Sequence, residues 1–260
     1  MARTIQRLED VPKPTHAEWL KLGEEVDKSF LETLRSLSEE EWAAPTECSP
    51  WTVKDMMAHI LGWAEATMSP RELTRQTIAG FKTKGAHGGV WLDATNQSQI
   101  DTRAPMSIDE VIARFVEITP GYHKTRTRYG LMTGLFPMKE PFSGTWVPMR
   151  FLFDTIFVRD HFMHHVDICT ATGRMMPVGD AEIRIAHDAF REWSDKAKAS
   201  VTLELSGPAG GTFTRGTGET SISGDAIDLC RVLAGRRCDK FEVDGDEEAA
   251  KRWLSVLAAF

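Results

Sequence analysis

Phe153-Asp154-Thr155-Ile156-Phe157-Val158-Arg159-Asp160-His161-Phe162-Met163-His164-His165-Val166-Asp167-Ile168 is the stretch that decides how this chain folds. At about 100° per residue, Phe153, Phe157, Asp160, His164, Ile168 and Ala171 fall within roughly 80° of one another, on one stripe of a helix. Asp160 and His164 are therefore expected in the middle of its most apolar face. A buried carboxylate is costly unless it is paired or coordinated. Two arrangements would satisfy it: a core ion pair between the two residues, or a shared metal ion, which an i, i+4 carboxylate and imidazole are spaced to hold. His161 and His165 have the same spacing about 100° further round the helix. They read as the edge of the stripe and not as ligands.

Upstream of this stretch the pattern is helical. Trp19, Leu20, Leu22, Val26, Phe30, Leu31, Leu34 and Leu37 recur at helical spacing between Thr15 and Leu37, behind Pro12 and Pro14. Thr52 and Asp55 form a capping-box pair that opens a second helix running to Ala66 or beyond, with Trp51 and Met56 at the staple positions. Ser107 and Glu110 do the same for a third helix, to about Tyr129. Between them Lys82 to Ser107 is Gly-rich and polar without a sustained helical period, so an irregular insert is expected there. A loop holding Gly134, Pro137, Pro141 and Gly144 leads into the decisive stretch, which ends before Gly173. A further helix follows from Asp180 to Ala199.

Downstream the pattern changes near residue 200. Val201-Thr202-Leu203-Glu204-Leu205 alternates with period two, and Gly207 to Gly211 turns the chain into Thr212-Phe213-Thr214. Thr220–Ile222 and Phe241–Val243 read as strands, Asp225–Ala234 and Glu247–Ala258 as helices. The expected fold is α+β, with residues 1–200 a helical bundle and 201–260 a small α/β domain.

The 260 residues carry 31 Lys and Arg against 38 Asp and Glu, a net charge of −7. The basic residues are scattered, which argues against nucleic acid as a partner. No apolar run reaches the roughly 20 residues that span a bilayer, and MARTIQRLEDVPKP lacks the apolar core of a signal peptide. Cys48, Cys169, Cys230 and Cys238 are too scattered for a disulfide framework or a CxxC metal site, so reduced thiols and a cytoplasmic location are expected. A small-molecule substrate is the expected partner, with the chain a monomer or homodimer.

His59 stands one turn from Met56 and Trp63, at the border of its helix's apolar face. By itself it reads first as a hydrogen-bonded core histidine, with a third ligand as the lesser alternative. Asp167, one turn after His164, is placed to hydrogen-bond a ligand imidazole or to pair with Arg159 or Arg174. Asn96 reads as a turn residue. His87, His123 and His187 carry no signal.

Thr46-Glu47-Cys48-Ser49-Pro50-Trp51-Thr52-Val53-Lys54-Asp55-Met56-Met57-Ala58-His59 resembles the helix-2 signature of the mycothiol-dependent maleylpyruvate isomerase family, part of the DinB-like metalloprotein superfamily. Arg159 to Ile168, followed by Ala171-Thr172-Gly173-Arg174, resembles its second signature, and residues 201–260 its small C-terminal domain. The resemblance implies an N-terminal DinB-like four-helix bundle with a small C-terminal α/β domain. It also implies a divalent metal ion, usually Zn²⁺, held by His59, Asp160 and His164, with Asp160 standing where Glu is usual. Three protein ligands leave an open position, as a catalytic site requires. Mycothiol is the implied thiol cosubstrate: its thiolate would add to a cis double bond, the new single bond would rotate, and elimination would return the trans isomer. Arg236, after Gly235, is implied as the catalytic group gripping a substrate carboxylate, with Arg237 its rival. An S-transferase would use the same machinery. A thiol-free Lewis-acid isomerase, cyclase or hydrolase, and a non-enzymatic metal- or ligand-binding protein, are the alternatives.

Overall fold

A computed structural model describes residues 5–140, 144–238 and 240–260. In chain order it contains β1 (Ile5–Arg7), α1 (His16–Ser36), α2 (Glu39–Trp42), α3 (Val53–Met68), α4 (Pro70–Thr83), α5 (Trp91–Arg103) and α6 (Ile108–Met132). These are followed by β2 (Pro137–Lys139), β3 (Trp146–Pro148), a π-helical turn at Leu152–Ile156, α7 (Phe157–Ala171) and α8 (Asp180–Ala197). The chain ends in β4 (Val201–Ser206), β5 (Gly211–Arg215), β6 (Thr220–Asp225), α9 (Ala226–Leu233), β7 (Glu242–Asp244) and α10 (Glu247–Leu254). Of the described residues 62% are helical, with the expected α+β character. No helix among the described residues is long and apolar enough to cross a membrane. Pro141 and the residues before Ile5 lie outside the described residues.

By contact the chain divides into two compact units: Met1–Val26 with Thr133–Val166 and Met176–Phe260, and Asp27–Met132 with Asp167–Met175. The change of pattern at residue 200 is thus one of element type, while compactness groups α8 and much of α7 with the strands that follow.

The first unit is organised on a mixed sheet in the order β1-β5-β4-β6-β7. β4 pairs antiparallel with β5 and parallel with β6. The alternating residues of the Val201 segment bury Val201, Leu203 and Leu205, as a one-sided strand must. β1 was not legible in the sequence. It is three residues long with all of them exposed, and it adds parallel to β5. Phe162, Ile185, Phe190, Trp193, Phe213 and Leu229 belong to one core cluster. Within that core lies an ionic network: Arg159, fully buried, donates to Asp188 at 2.7 Å and to the Ala259 carbonyl at 2.8 Å, and pairs with Glu192 at 2.9 Å. Its guanidinium lies over the rings of Trp19 and Phe260. Burial pushes the Glu192 carboxyl up, but Arg159 and Lys196 outweigh it and hold it at about 2.

The second unit is organised around α3, which packs against α4, α5 and α6. The Thr52–Asp55 capping box is formed as expected, and Ser107 and Glu110 make both reciprocal bonds ahead of α6. Lys82–Ser107 departs from expectation. It contains α5, whose buried residues are Ala94, Thr95, Gln99, Ile100 and Arg103. Three of these five are polar, so the helix faces its neighbours without the apolar stripe that would have marked it in the sequence. Asn96 is accordingly helical and accepts a hydrogen bond from Trp63 Nε1 at 3.1 Å, which corrects the turn assignment.

α7 ends in a Schellman motif. Gly173 takes φ +66°, Arg174 N donates to Cys169 O at 2.9 Å, and Gly173 N donates to Thr170 O. Arg174 then binds Glu41 and Ser36, holding the Glu41 carboxyl at about 2. α9 ends the same way: Gly235 at φ +82°, Arg236 N on Arg231 O at 2.8 Å and Gly235 N on Val232 O at 2.9 Å.

Candidate metal centre

α3 presents His59, which is only 4% exposed. Its Nδ1 lies 3.0 Å from Gln99 Oε1 on α5, and its ring is 5.0 Å from that of Trp51. Gln99 Nε2 donates to Gln76 Oε1 at 2.8 Å, and Gln76 Nε2 donates to Gly62 O at 2.8 Å and Glu72 Oε1 at 2.9 Å. The histidine is thus one end of a buried chain of amides. An imidazole held at one nitrogen by a carbonyl oxygen is the usual preparation for binding metal through the other.

α7 supplies Asp160 and His164. Asp160 Oδ1 lies 3.3 Å from His164 Nε2. That separation is long for a charge-assisted hydrogen bond. It matches the roughly 3.3–3.5 Å edge of a tetrahedron whose metal–ligand bonds are about 2.0–2.1 Å. A carboxylate and two imidazoles are a donor set that suits zinc and its neighbours. The expected placement of Asp160 needs correction. Its side chain is 24% exposed, whereas His161 is 5% exposed and His165 fully buried. α7 is buried nearly all round, so no single face is the core face, and the π-helical turn at Leu152–Ile156 breaks the wheel ahead of it.

Among the described residues two groups of side chains could hold a metal ion: His59, Asp160 and His164, and Cys48, His164 and Asp167. The second group was not foreseen. Cys48 Sγ donates to Asp167 Oδ2 at 3.6 Å. Arg159 and Arg174, the partners considered for Asp167, are engaged by Asp188 and Glu192 and by Glu41 respectively. Burial disfavours ionisation of two other thiols, pushing Cys169 up to about 11 and raising Cys230 as well. Arg236 is half-buried, its Nη1 donating to the Ala234 carbonyl at 2.8 Å, while Arg237 is exposed. In the first unit a cavity of about 630 Å³ is lined in part by Trp19, Val147, Arg150 and Asp154. At its wall His16 Nδ1 lies 2.7 Å from Asp154 Oδ1, a pair the sequence did not signal because its members are 138 residues apart.

Residues 24–169 match the sequence profile of the Mycothiol maleylpyruvate isomerase N-terminal domain. The chain belongs to this family. As a member of this isomerase family it is an enzyme. Among solved structures it is similar to the crystal structure of the mycothiol-dependent maleylpyruvate isomerase, at TM-score 0.58 and 16% identity over 92% of this chain and 96% of that one. A mutant of that enzyme with a histidine replaced by alanine matches at TM-score 0.57 with the same identity and coverage. At this identity the likeness establishes a shared fold. No curated protein matches the chain.

Proposed function

We propose that the chain is a divalent-metal-dependent isomerase that uses mycothiol and acts on a small carboxylate-bearing electrophile, with His59, Asp160 and His164 holding the ion. The carrying observation is the Asp160–His164 separation of 3.3 Å, which fits two ligands of one ion better than an ion pair. His59, with Nδ1 engaged by Gln99, supports the same set. A divalent ion bound there would keep a coordinated thiol deprotonated at neutral pH.

The chain's own groups do the rest. Three protein donors leave a place for an exogenous one. Mycothiol, when bound, would supply a thiolate for reversible addition to an activated cis double bond, the chemistry that opens a route to the trans isomer. Arg236 would hold the substrate carboxylate and stabilise charge on it during the addition. Such an enzyme would be cytoplasmic, act on a small molecule without nucleic acid, and work as a monomer or homodimer.

Elemental analysis of the purified protein tests the reading, together with a mycothiol-dependent cis–trans isomerase assay before and after chelation. One divalent ion per chain and activity lost on chelation are expected. Full activity in metal-free protein would overturn the proposal. The Cys48–Asp167 contact favours a second ligand set, Cys48, His164 and Asp167. In that case Cys48→Ser, and not His59→Ala, would empty the site.

A further inference from the structure

We propose that Gln76 and Gln99 are positioning residues: a two-amide relay that fixes the tautomer of His59 so that Nε2 carries the lone pair. This inference rests on the reading of His59 as a ligand, and it extends that reading to residues which touch neither substrate nor metal.

The direction of each hydrogen bond is fixed in turn from Gly62 and Glu72 to His59. The carbonyl of Gly62 can only accept a hydrogen bond. Glu72 also can only accept, because hydrogen bonds from Arg75, against the opposing effect of burial, hold its carboxyl at about 2. The Gln76 amide meets both groups, at 2.8 and 2.9 Å, so its NH₂ must face them and its oxygen must face Gln99. That oxygen accepts at 2.8 Å, so Gln99 presents its own NH₂ there. The Gln99 oxygen is then the atom 3.0 Å from His59 Nδ1, and it too can only accept. The hydrogen of the neutral imidazole must therefore sit on Nδ1. Free histidine in water favours the opposite tautomer, so the relay selects the less favoured form.

Three features make the relay stiff. Gln76 and Gln99 are fully buried, so water does not compete for their amides. The ring of Trp51 lies 5.0 Å from that of His59, at an interplanar angle of 38°, and hinders a ring flip. Gly62 makes room for the relay: a Cβ there would lie 2.5 to 2.7 Å from Cγ, Cβ and Cδ of Gln99. A glycine in mid-helix costs about 1 kcal/mol relative to alanine, and this one is spent on admitting the Gln99 side chain.

The test reads the tautomer directly. Metal-free protein carrying ¹⁵N-histidine, held above the imidazole titration range, is examined by two-bond ¹H–¹⁵N correlation, with His59 assigned by its loss in His59→Gln. Zn²⁺ affinity is measured alongside by competition with a chelator. The wild type should show His59 protonated at Nδ1. Gln99→Leu should shift it towards Nε2–H and weaken Zn²⁺ binding roughly 10- to 100-fold, the usual effect of removing such a partner. Gln99→Glu, whose carboxylate still accepts from Nδ1–H, should keep the tautomer and most of the affinity. Gln99→Met replaces Gln99→Leu if the latter does not fold. His59 protonated at Nε2 in the wild type, or a Gln99→Leu or Gln99→Met protein with unchanged tautomer and affinity, would overturn the relay. Unchanged Zn²⁺ affinity in His59→Ala, with the tautomer as expected, would instead overturn the ligand assignment and leave the relay standing.

Discussion

Gly62→Ala separates a helix-propensity effect from a packing effect, because the two have opposite signs at this site. In an otherwise helical position the substitution should stabilise by about 1 kcal/mol. Here the added methyl would meet three carbons of Gln99 at 2.5 to 2.7 Å, in the middle of that side chain and not at its free end. Gln99 cannot swing aside cheaply, since one end holds His59 and the other Gln76. Forcing a methyl into such a site costs roughly 1–3 kcal/mol, and each hydrogen bond broken with a buried group left unsatisfied adds about 1–3 kcal/mol. With one such hydrogen bond lost, the net expectation is destabilisation of roughly 1–5 kcal/mol after the propensity gain is subtracted. Gly121→Ala in α6 is the control. Its Cβ would meet only Met68 Sδ, at 3.2 Å, and Met68 Cε at 3.8 Å, the adaptable end of a flexible side chain, so propensity should win and leave it neutral or slightly more stable. Urea unfolding of the metal-free proteins measures both, and Zn²⁺ affinity should fall in the Gly62 variant alone. A Gly62→Ala protein as stable as wild type, binding Zn²⁺ equally well, would refute the reasoning.

Other expectations follow from the same structure. His59→Ala, Asp160→Ala and His164→Ala should each lose the ion, while His161→Gln with His165→Gln should retain it; metal analysis by mass spectrometry decides. Cys48→Ser should leave metal content unchanged, and loss of the ion in that variant would move the ligand set to Cys48, His164 and Asp167. Arg236→Ala should leave metal content unchanged and lower kcat/KM roughly 10- to 1,000-fold, with Arg236→Lys rescuing part of it. Glu192 should contribute to acid sensitivity, because its carboxyl is held at about 2 against an ordinary 4.5. A depressed folded value means that its stabilisation is complete above pH 4.5 and is lost as pH falls towards 2; roughly a tenfold factor in the folding constant is gone by about pH 3.5. The stability difference between wild type and Glu192→Gln, from urea unfolding, should shrink by that factor between pH 7 and pH 3.5. An equal difference at both pH values would remove Glu192 from the acid response.

The parts of the fold that the sequence showed plainly are those where local chemistry and burial agree. The Thr52 and Ser107 caps, the Gly173 stop and the period-two strand at Val201 each state their structure within a few residues. Elements set by distant partners were silent. β1 depends on β5, some 200 residues away, and Arg159 depends on Asp188, Glu192 and Ala259, which no local pattern connects.

α5 is the instructive failure. Thr95, Gln99 and Arg103 follow one another at i, i+4 and i+8, so they form a stripe on one side of the helix, and all three are buried. A stripe of that spacing would have been read as a helix had it been apolar. It is polar because of what it supports. Gln99 meets the His59 imidazole and the Gln76 amide, Arg103 pairs with Glu65 and donates to the Gln99 carbonyl, and Thr95 lies where Gly80 lets α4 approach. Burying such groups is tolerable only when each finds a partner, and a single sequence does not show the partners. Positions where a buried face breaks the apolar rule are where function is expected to have displaced packing. In this chain that position adjoins the histidine proposed as ligand. A polar stripe at helical spacing inside an apparently irregular insert is therefore a signal in itself: it marks a helix whose inner face serves a site.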